Sequence, residues 1–360
     1  MKILFMANNS GGLCNFRGEL IKRLAKENHV IASTPFDDLL PELRTKGCKL
    51  VETPVDRRGI NPLRDMLLVL CYIRLVNREK PDMVITYTIK PNIYGGAVCR
   101  VKKVSYAINI TGLGTAFEKT GLLKRMVTFM YKFALKKAKI VFFENLENMQ
   151  LFINDKIIRH DQAKLLNGAG VDLERYYMLP YPEDAKETRF LFIGRVMAEK
   201  GVDELFAAMR NLHINGVSCS LDMLGGFDED YGAKIKQGES EGWLRYHGCQ
   251  SDVRPFIKNC HCFVLPSWHE GMSNSNLECA ASGRPIITSD ISGCKEAVID
   301  GVSGYTCRVE DVDDLYMKMK MMAATSRDER EKMGLAGRQH METVFDKRFV
   351  VQETITGLGL

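Results

Sequence analysis

Two acids and a helix start fall together in Glu270-Gly271-Met272-Ser273-Asn274-Ser275-Asn276-Leu277-Glu278. The block follows a predicted strand ending at Pro266-Ser267 and opens a predicted helix over Asn276–Ala281, which Ser273 or Asn274 can cap. The unpaired N–H groups of a first helical turn and the helix dipole favour a phosphate at that point. Glu278 suits ribose hydroxyls, because a carboxylate accepts two hydrogen bonds, and Glu270 suits sugar hydroxyls. An ordinary strand, loop and helix with two surface acids would read the same way, so the block alone leaves both readings open.

A second block, Gly194-Arg195-Val196-Met197-Ala198-Glu199-Lys200-Gly201, closes the predicted strand Arg189–Ile193. Arg195 offers a planar fork to a diphosphate and Lys200 a point charge. A solvated loop with two surface cations is the plain alternative. A third block, Asn9-Ser10-Gly11-Gly12-Leu13, follows the first strand and lets backbone approach a ligand closely; it is not a G-x-G-x-x-G.

The elements that must hold these residues alternate. Strands are predicted at Lys2–Ala7, His29–Ser33, Pro81–Thr86, Ser105–Ile110 and Lys139–Phe143, with a helix over Phe16–Glu27 between the first two. The register restarts with strands at Arg189–Ile193, Leu221–Leu224, His261–Pro266 and Arg284–Ser289. Strands separated by helices imply parallel sheets covered on both faces. The predicted domains are 1–170 and 188–344, with a Pro- and Gly-containing linker at 171–187 and a last helix, about 345–360, crossing back onto the first. At 360 residues the chain suits two domains of ordinary size. Open parallel sheets bind ligands beyond the carboxyl ends of their strands, which places the expected site in a cleft lined by both sets.

Composition narrows the class. The chain is 45% apolar and 26% charged, with no low-complexity tract. No apolar run reaches the roughly 18 residues of a membrane span, and Met66–Ile73 reads as a buried helix. The opening Met1–Met6 is too short for a secretory signal. Eleven cysteines without a C-x-x-C pair fit a reducing cytoplasm. Cys260-His261-Cys262 reads as strand alternation rather than a metal site. Asp311-Val312-Asp313-Asp314 reads as a cap for a helix over Leu315–Met322, and Asp228-Glu229-Asp230 as a loop; no metal is expected at either. Residues 1–180 carry 29 Lys and Arg against 17 Asp and Glu, while 181–360 carry 21 against 28, so the first half should meet something anionic. Seven basic residues and no acid lie from Lys119 to Lys139, interleaved with Leu122, Met126, Phe129, Met130 and Phe133, a pattern for a membrane-surface helix. Arg57, Arg58, Arg64, Arg74 and Arg78 form a second basic group.

The E-x7-E block, the G-R-x4-K-G block upstream and the N-terminal glycines together resemble glycosyltransferase family 4, over essentially the whole chain. Asn15-Phe16-Arg17, Arg58-Gly59-Ile60-Asn61-Pro62 and Thr111-Gly112-Leu113-Gly114 resemble a bacterial subgroup that extends undecaprenyl-diphosphate-linked oligosaccharides. The resemblance implies a GT-B fold, two Rossmann-like α/β domains, and a retaining, metal-independent transfer from a UDP-sugar. It assigns Arg195, Lys200 and Glu270 to catalysis. For donor binding it adds Gly12, the Gly248-Cys249-Gln250 loop facing the nucleobase, Gly271, Met272, Ser273, Asn274 and Glu278. It assigns Asn15, Arg17, Asn109 and Thr111 to the acceptor, a lipid-linked or soluble saccharide. Many family members carry a His before Thr111-Gly112; Ile108-Asn109-Ile110 has none, so no side-chain base is named. The expected setting is the inner face of a bacterial plasma membrane, on anionic lipid, without nucleic acid or cofactor. A sugar-nucleotide epimerase and an inert sugar-nucleotide or membrane-binding protein are the competing readings.

Overall fold

The computed structural model describes residues 1–36, 40–56, 59, 61–113, 121–183 and 187–360. Arg57, Arg58, Ile60, Gly114 and Lys119 lie outside the described residues. Two units are resolved: Met1–Ala169 with Val350–Leu360, and Gly170–Phe349.

In the first unit the chain order is β1 (Lys2–Met6), α1 (Ser10–Ala25), β2 (His29–Thr34), α2 (Leu40–Arg44), β3 (Lys49–Glu52), α3 (Pro62–Glu79), β4 (Met83–Tyr87), a π turn (Pro91–Gly95), α4 (Gly96–Lys102), β5 (Ser105–Ile110), α5 (Leu122–Leu135), β6 (Ile140–Phe143), α6 (Leu146–Asn154) and β7 (Ala163–Leu165). All seven strands are parallel, in the order β3-β2-β1-β4-β5-β6-β7. Alternation splits each strand between two cores: Ile3 and Phe5 pack with α1, Leu4 and Met6 with α3, α4 and α5.

The second unit runs β8 (Thr188–Ile193), α7 (Val202–Ile214), β9 (Cys219–Leu224), α8 (Gly232–Ser240), β10 (Leu244–Tyr246), α9 (Arg254–Asn259), β11 (Cys262–Leu265), α10 (Asn274–Ala281), β12 (Ile286–Ser289), β13 (Gly304–Cys307), α11 (Val312–Ala324) and α12 (Arg327–His340). Its six parallel strands are ordered β10-β9-β8-β11-β12-β13. A last helix, α13 (Lys347–Leu358), starts in this unit, and its Val350 and Leu358 join the core of the first. In both sheets the strand order reverses once, between β1 and β4 and between β8 and β11. A crevice opens at the carboxyl ends of such a pair, because the connections leave toward opposite faces there.

Several elements differ from the sequence reading. Helix α1 begins at Ser10, not Phe16, because the Asn9 side chain accepts from the Gly12 N–H and caps it; Gly11 and Gly12 sit in its first turn. The predicted linker packs into the second unit: Val171 N–H donates to Phe345 O at 2.7 Å, and Leu179 N–H to Ser282 O at 3.3 Å. Buried Arg284 donates to the Leu179 and Pro180 carbonyls at 3.4 and 2.8 Å, filling backbone acceptors where no carboxylate is needed. Met66–Ile73 is not a buried helix. A helix places one stripe inside, so α3 buries Leu68, Tyr72, Leu75 and Val76 and leaves Leu63, Met66, Leu67 and Leu70 exposed. Strands β3, β7, β10 and β13, three or four residues each, carry too little pattern to be read alone. Asp311 caps α11 as its spacing suggests, accepting from Asp314 N–H at 2.8 Å.

Candidate functional site

The reversal between β8 and β11 gathers the two strongest sequence blocks. Arg195 follows β8, and the segment Ser267–Ser273 follows β11. Gly201 makes the approach possible. It sits at φ +68°, and a Cβ there would lie 2.1 Å from the Pro266 carbonyl oxygen. Trp268 N–H donates to Glu199 O at 2.9 Å across the same seam. Lys200 therefore reaches Glu270, Nζ to Oε1 at 2.5 Å, and Ser267 Oγ donates to the same oxygen at 3.0 Å. The Lys200 and Glu270 side chains are 13% and 15% exposed, so Lys200 is no freely solvated cation as its loop position suggested. Lys200 and Ser267 together fix Glu270.

Ser273 caps α10 by accepting from Asn276 N–H, and Gly293 O accepts from Ser273 N–H at 2.7 Å. The start of α10 follows Glu270 by four residues, and the first turn of a helix favours an anion. Met272 turns its side chain into the core, so its loop offers backbone to a ligand. Glu278, one turn on, is half-buried against the Tyr176 hydroxyl, which donates to it. Burial pushes the Glu278 carboxyl up to about 7, against the pull of Tyr176, Lys347 and Arg175.

A third strand end joins the site. Gly225 N–H donates to Gly248 O at 2.9 Å, and a Cβ on Gly226 would lie 2.9 Å from the Cys249 sulfur. Gly248-Cys249-Gln250 thus lies against the loop that carries Asp228, with Cys249 and Gln250 exposed. Asp228 pairs with Arg195, and Glu229 accepts from Ala198 N–H at 2.8 Å. Two of the three acids that imitated a metal motif, Asp228 and Glu229, thus meet the Arg195 loop, while Asp230 accepts from Gly232 N–H at 3.2 Å.

In the first unit the β1–β4 reversal places Asn9, Gly12 and Tyr87 at the carboxyl ends of neighbouring central strands. Of the four residues assigned to the acceptor, two have partners inside the unit. Arg17 is buried, paired with Glu144 at the end of β6, and its guanidinium lies 5.0 Å from the Tyr87 ring centroid. Asn109 is buried too; its Nδ2 donates to Thr86 O at 3.3 Å, and its carbonyl accepts from Asn92 at 2.8 Å. Both brace the carboxyl ends of the strands, since a buried polar group must find its partner inside. Asn15 is exposed on α1, and Thr111 is half-buried beyond β5. The sequence reading did not pair Glu278 with Tyr176, Arg195 with Asp228, or Arg17 with Glu144 and Tyr87, because each joins residues far apart in the chain. The Glu144-Asn145 strand end was the available signal for the last.

Comparison with known proteins falls on both units. A family model described as "Glycosyl transferase 4-like" matches residues 2–145, and one described as "Glycosyl transferases group 1" matches 187–325. The chain is 25% identical to the N,N'-diacetylbacillosaminyl-diphospho-undecaprenol alpha-1,3-N-acetylgalactosaminyltransferase of Campylobacter jejuni, over 98% of this chain and 96% of that one. It is also 25% identical to the UDP-Gal:alpha-D-GlcNAc-diphosphoundecaprenol alpha-1,3-galactosyltransferase of Escherichia coli, over 71% of this chain and 70% of that one. Among solved structures, Anabaena Alr3699/HepE in complex with UDP and glucose superposes with a TM-score of 0.81 at 14% identity, covering 100% of this chain and 99% of that one.

Proposed function

Starting from a chain that belongs to the glycosyltransferases, with a 4-like first unit and a group 1 second unit in the GT-B fold, we propose that it moves a hexose or N-acetylhexosamine from a UDP-sugar to a lipid-diphosphate-linked saccharide. The observation that carries the reading is the convergence of Arg195, Lys200 and the α10 start at one strand reversal. Three sources of positive potential there suit a leaving diphosphate. The relatives named for undecaprenol-linked acceptors support the lipid-linked substrate, and UDP complexes of a structural neighbour support the donor.

Transfer proceeds with retention. The sugar–diphosphate bond breaks, the acceptor oxygen bonds to the same carbon on the same face, and a leaving-phosphate oxygen takes the acceptor proton. The protein contributes positioning and field. Glu270, held by Lys200 and Ser267, receives donor-sugar hydroxyls; Glu278 receives the ribose. No divalent metal is required in this reading, since Arg195, Lys200 and the helix start supply the positive field at the leaving group.

The first unit docks on an anionic bilayer. Helix α5 buries Val127, Tyr131, Ala134 and Leu135 and turns Met126, Phe129 and Phe133 outward among Lys124, Arg125 and Lys132. A groove of about 490 Å³ is lined by three cations, Lys124, Arg125 and Lys132, against one acid, Asp155, an excess of positive charge that suits a phosphate headgroup. Helix α3 packs on α4, as α5 does, and adds Leu63, Met66, Leu67 and Leu70 with Arg64. Among the described residues no helix is long and apolar enough to cross a membrane. The deciding experiment is turnover of a UDP-sugar panel with and without a lipid-diphosphate-linked saccharide. Turnover only with acceptor supports transfer; conversion of donor alone marks an epimerase, and no turnover of any donor overturns the reading.

A further inference from the structure

The two loops that carry Arg195 and Asp228 are fastened to each other through their backbones. Gly194 N–H donates to Leu224 O at 3.0 Å, Val196 N–H to Gly226 O at 2.9 Å, and Asp228 N–H back to Val196 O at 3.1 Å. Gly225, at φ +142°, allows this contact, since a Cβ there would lie 1.7 Å from the Gly194 oxygen. Across the seam the Arg195 guanidinium pairs with the Asp228 carboxylate. The two partners are unequal: the Asp228 side chain is 16% exposed, and that of Arg195 is 49% exposed. The acid is short and tied at its own N–H to the residue after Arg195, so it stays where it is. The cation is long and open to solvent, so it can turn to another anion.

Resting on the reading of Arg195 as a diphosphate ligand, we infer that Asp228 is a built-in counter-ion. It holds Arg195 until the donor diphosphate displaces it, and takes Arg195 back when the nucleoside diphosphate leaves. A diphosphate outcompetes one carboxylate because it brings more charge and more acceptor oxygens to the guanidinium. Its margin is reduced by the bond that must break and by the like charge that stays beside it. Without Asp228, a site made of Arg195, Lys200 and a helix start would keep its product, and release of product limits many enzymes. Asp228 thus sets how tightly UDP is held, while the interactions that assist bond breaking are left intact.

The test is calorimetric UDP binding to the full chain, with UDP inhibition of turnover read alongside. Asp228→Asn and Asp228→Ser are expected to tighten UDP by about three- to tenfold, the scale of one accessible ion pair with an added like-charge repulsion. UDP inhibition should strengthen by the same factor, while Asp228→Glu stays close to the parent protein. In an Arg195→Ala background the same Asp228 changes should tighten UDP by less than they do in the parent, because only the like-charge repulsion is left to remove. Unchanged or weaker UDP binding in both Asp228→Asn and Asp228→Ser, with parent-like melting temperatures, overturns the counter-ion. Should neither variant fold, a parent-like Asp228→Glu still supports it, and a Glu variant that binds UDP more tightly overturns it. If Arg195→Ala itself leaves UDP affinity unchanged, the diphosphate assignment fails instead.

Discussion

Single side chains at the β8 and β11 ends carry the sharpest expectations. Arg195→Ala and Lys200→Ala should each lower turnover by two orders of magnitude or more while melting temperature holds, since a charge-assisted phosphate bond is worth roughly 1.5–3 kcal/mol before any gain in the transition state. Lys200→Ala also leaves Glu270 without its cation, so its loss should exceed that of Arg195→Ala if Glu270 must stay fixed. Steady-state rates beside thermal melts read both. Glu278 predicts a pH dependence. Its carboxyl is raised to about 7, so the folded protein holds that proton more tightly than an unfolded chain does, and its stabilising effect is full below about 4.5 and lost as pH rises through 7. Ribose hydroxyls need the ionised form as acceptor, so UDP affinity should fall as pH drops below 7. The Tyr176 hydroxyl favours the ionised form, so Tyr176→Phe should move that midpoint upward, and Glu278→Gln should bind UDP weakly with a flat profile. Calorimetry between pH 6 and 8 checks all three.

Helices and strand seams set the next scale. His261 on the approach to β11 accepts from Arg189 N–H at 2.9 Å, and burial lowers its pKa to about 4. A depressed histidine contributes stability that is present above its unfolded value near 6.5 and is lost as pH falls through 4, opposite in sign to Glu278. His261→Asn keeps an acceptor near Nδ1 and should flatten the acid side of the melting profile. Helix α5 owes its exposed Phe129 to being apolar on two faces, only one of which the sheet can cover. Phe129→Glu with Met126→Glu should leave the fold intact and abolish sedimentation with anionic vesicles. Vesicle binding that survives both changes removes α5 from the docking surface.

At the scale of the whole molecule the charge is divided by unit. The first unit carries 28 Lys and Arg against 16 Asp and Glu, and the second 22 against 29. An even distribution would give weak, unoriented attraction to an anionic surface; a difference of this size between units gives a preferred face. Each basic residue near an anionic leaflet adds roughly 1 kcal/mol, screened beyond about 8 Å at physiological salt. Binding to anionic vesicles should therefore weaken steeply with salt and be absent on neutral ones. Turnover in excess chelator should equal that without it; loss restored by Mg²⁺ would return Asp228 and Asp230 to consideration as ligands.

Much of this was legible in the chain because it is local. Period-2 strands ending in Gly-Arg or Pro-Ser, a cap residue before a helix, and two acids eight residues apart are short-range patterns, and they located Arg195, Lys200, Glu270 and the α10 start. The charge division is likewise a property of composition. Tertiary structure decided whatever depends on partners distant in sequence. Arg17 and Asn109 turn inward because Glu144 and Thr86 wait for them, 127 and 23 residues away. Asp228 meets Arg195 because Gly225 lets two loops touch. Amphipathic spacing says that a helix has a covered face; only the packed sheet shows how wide that cover is, and so which of Leu63, Met66, Phe129 and Phe133 remain outside.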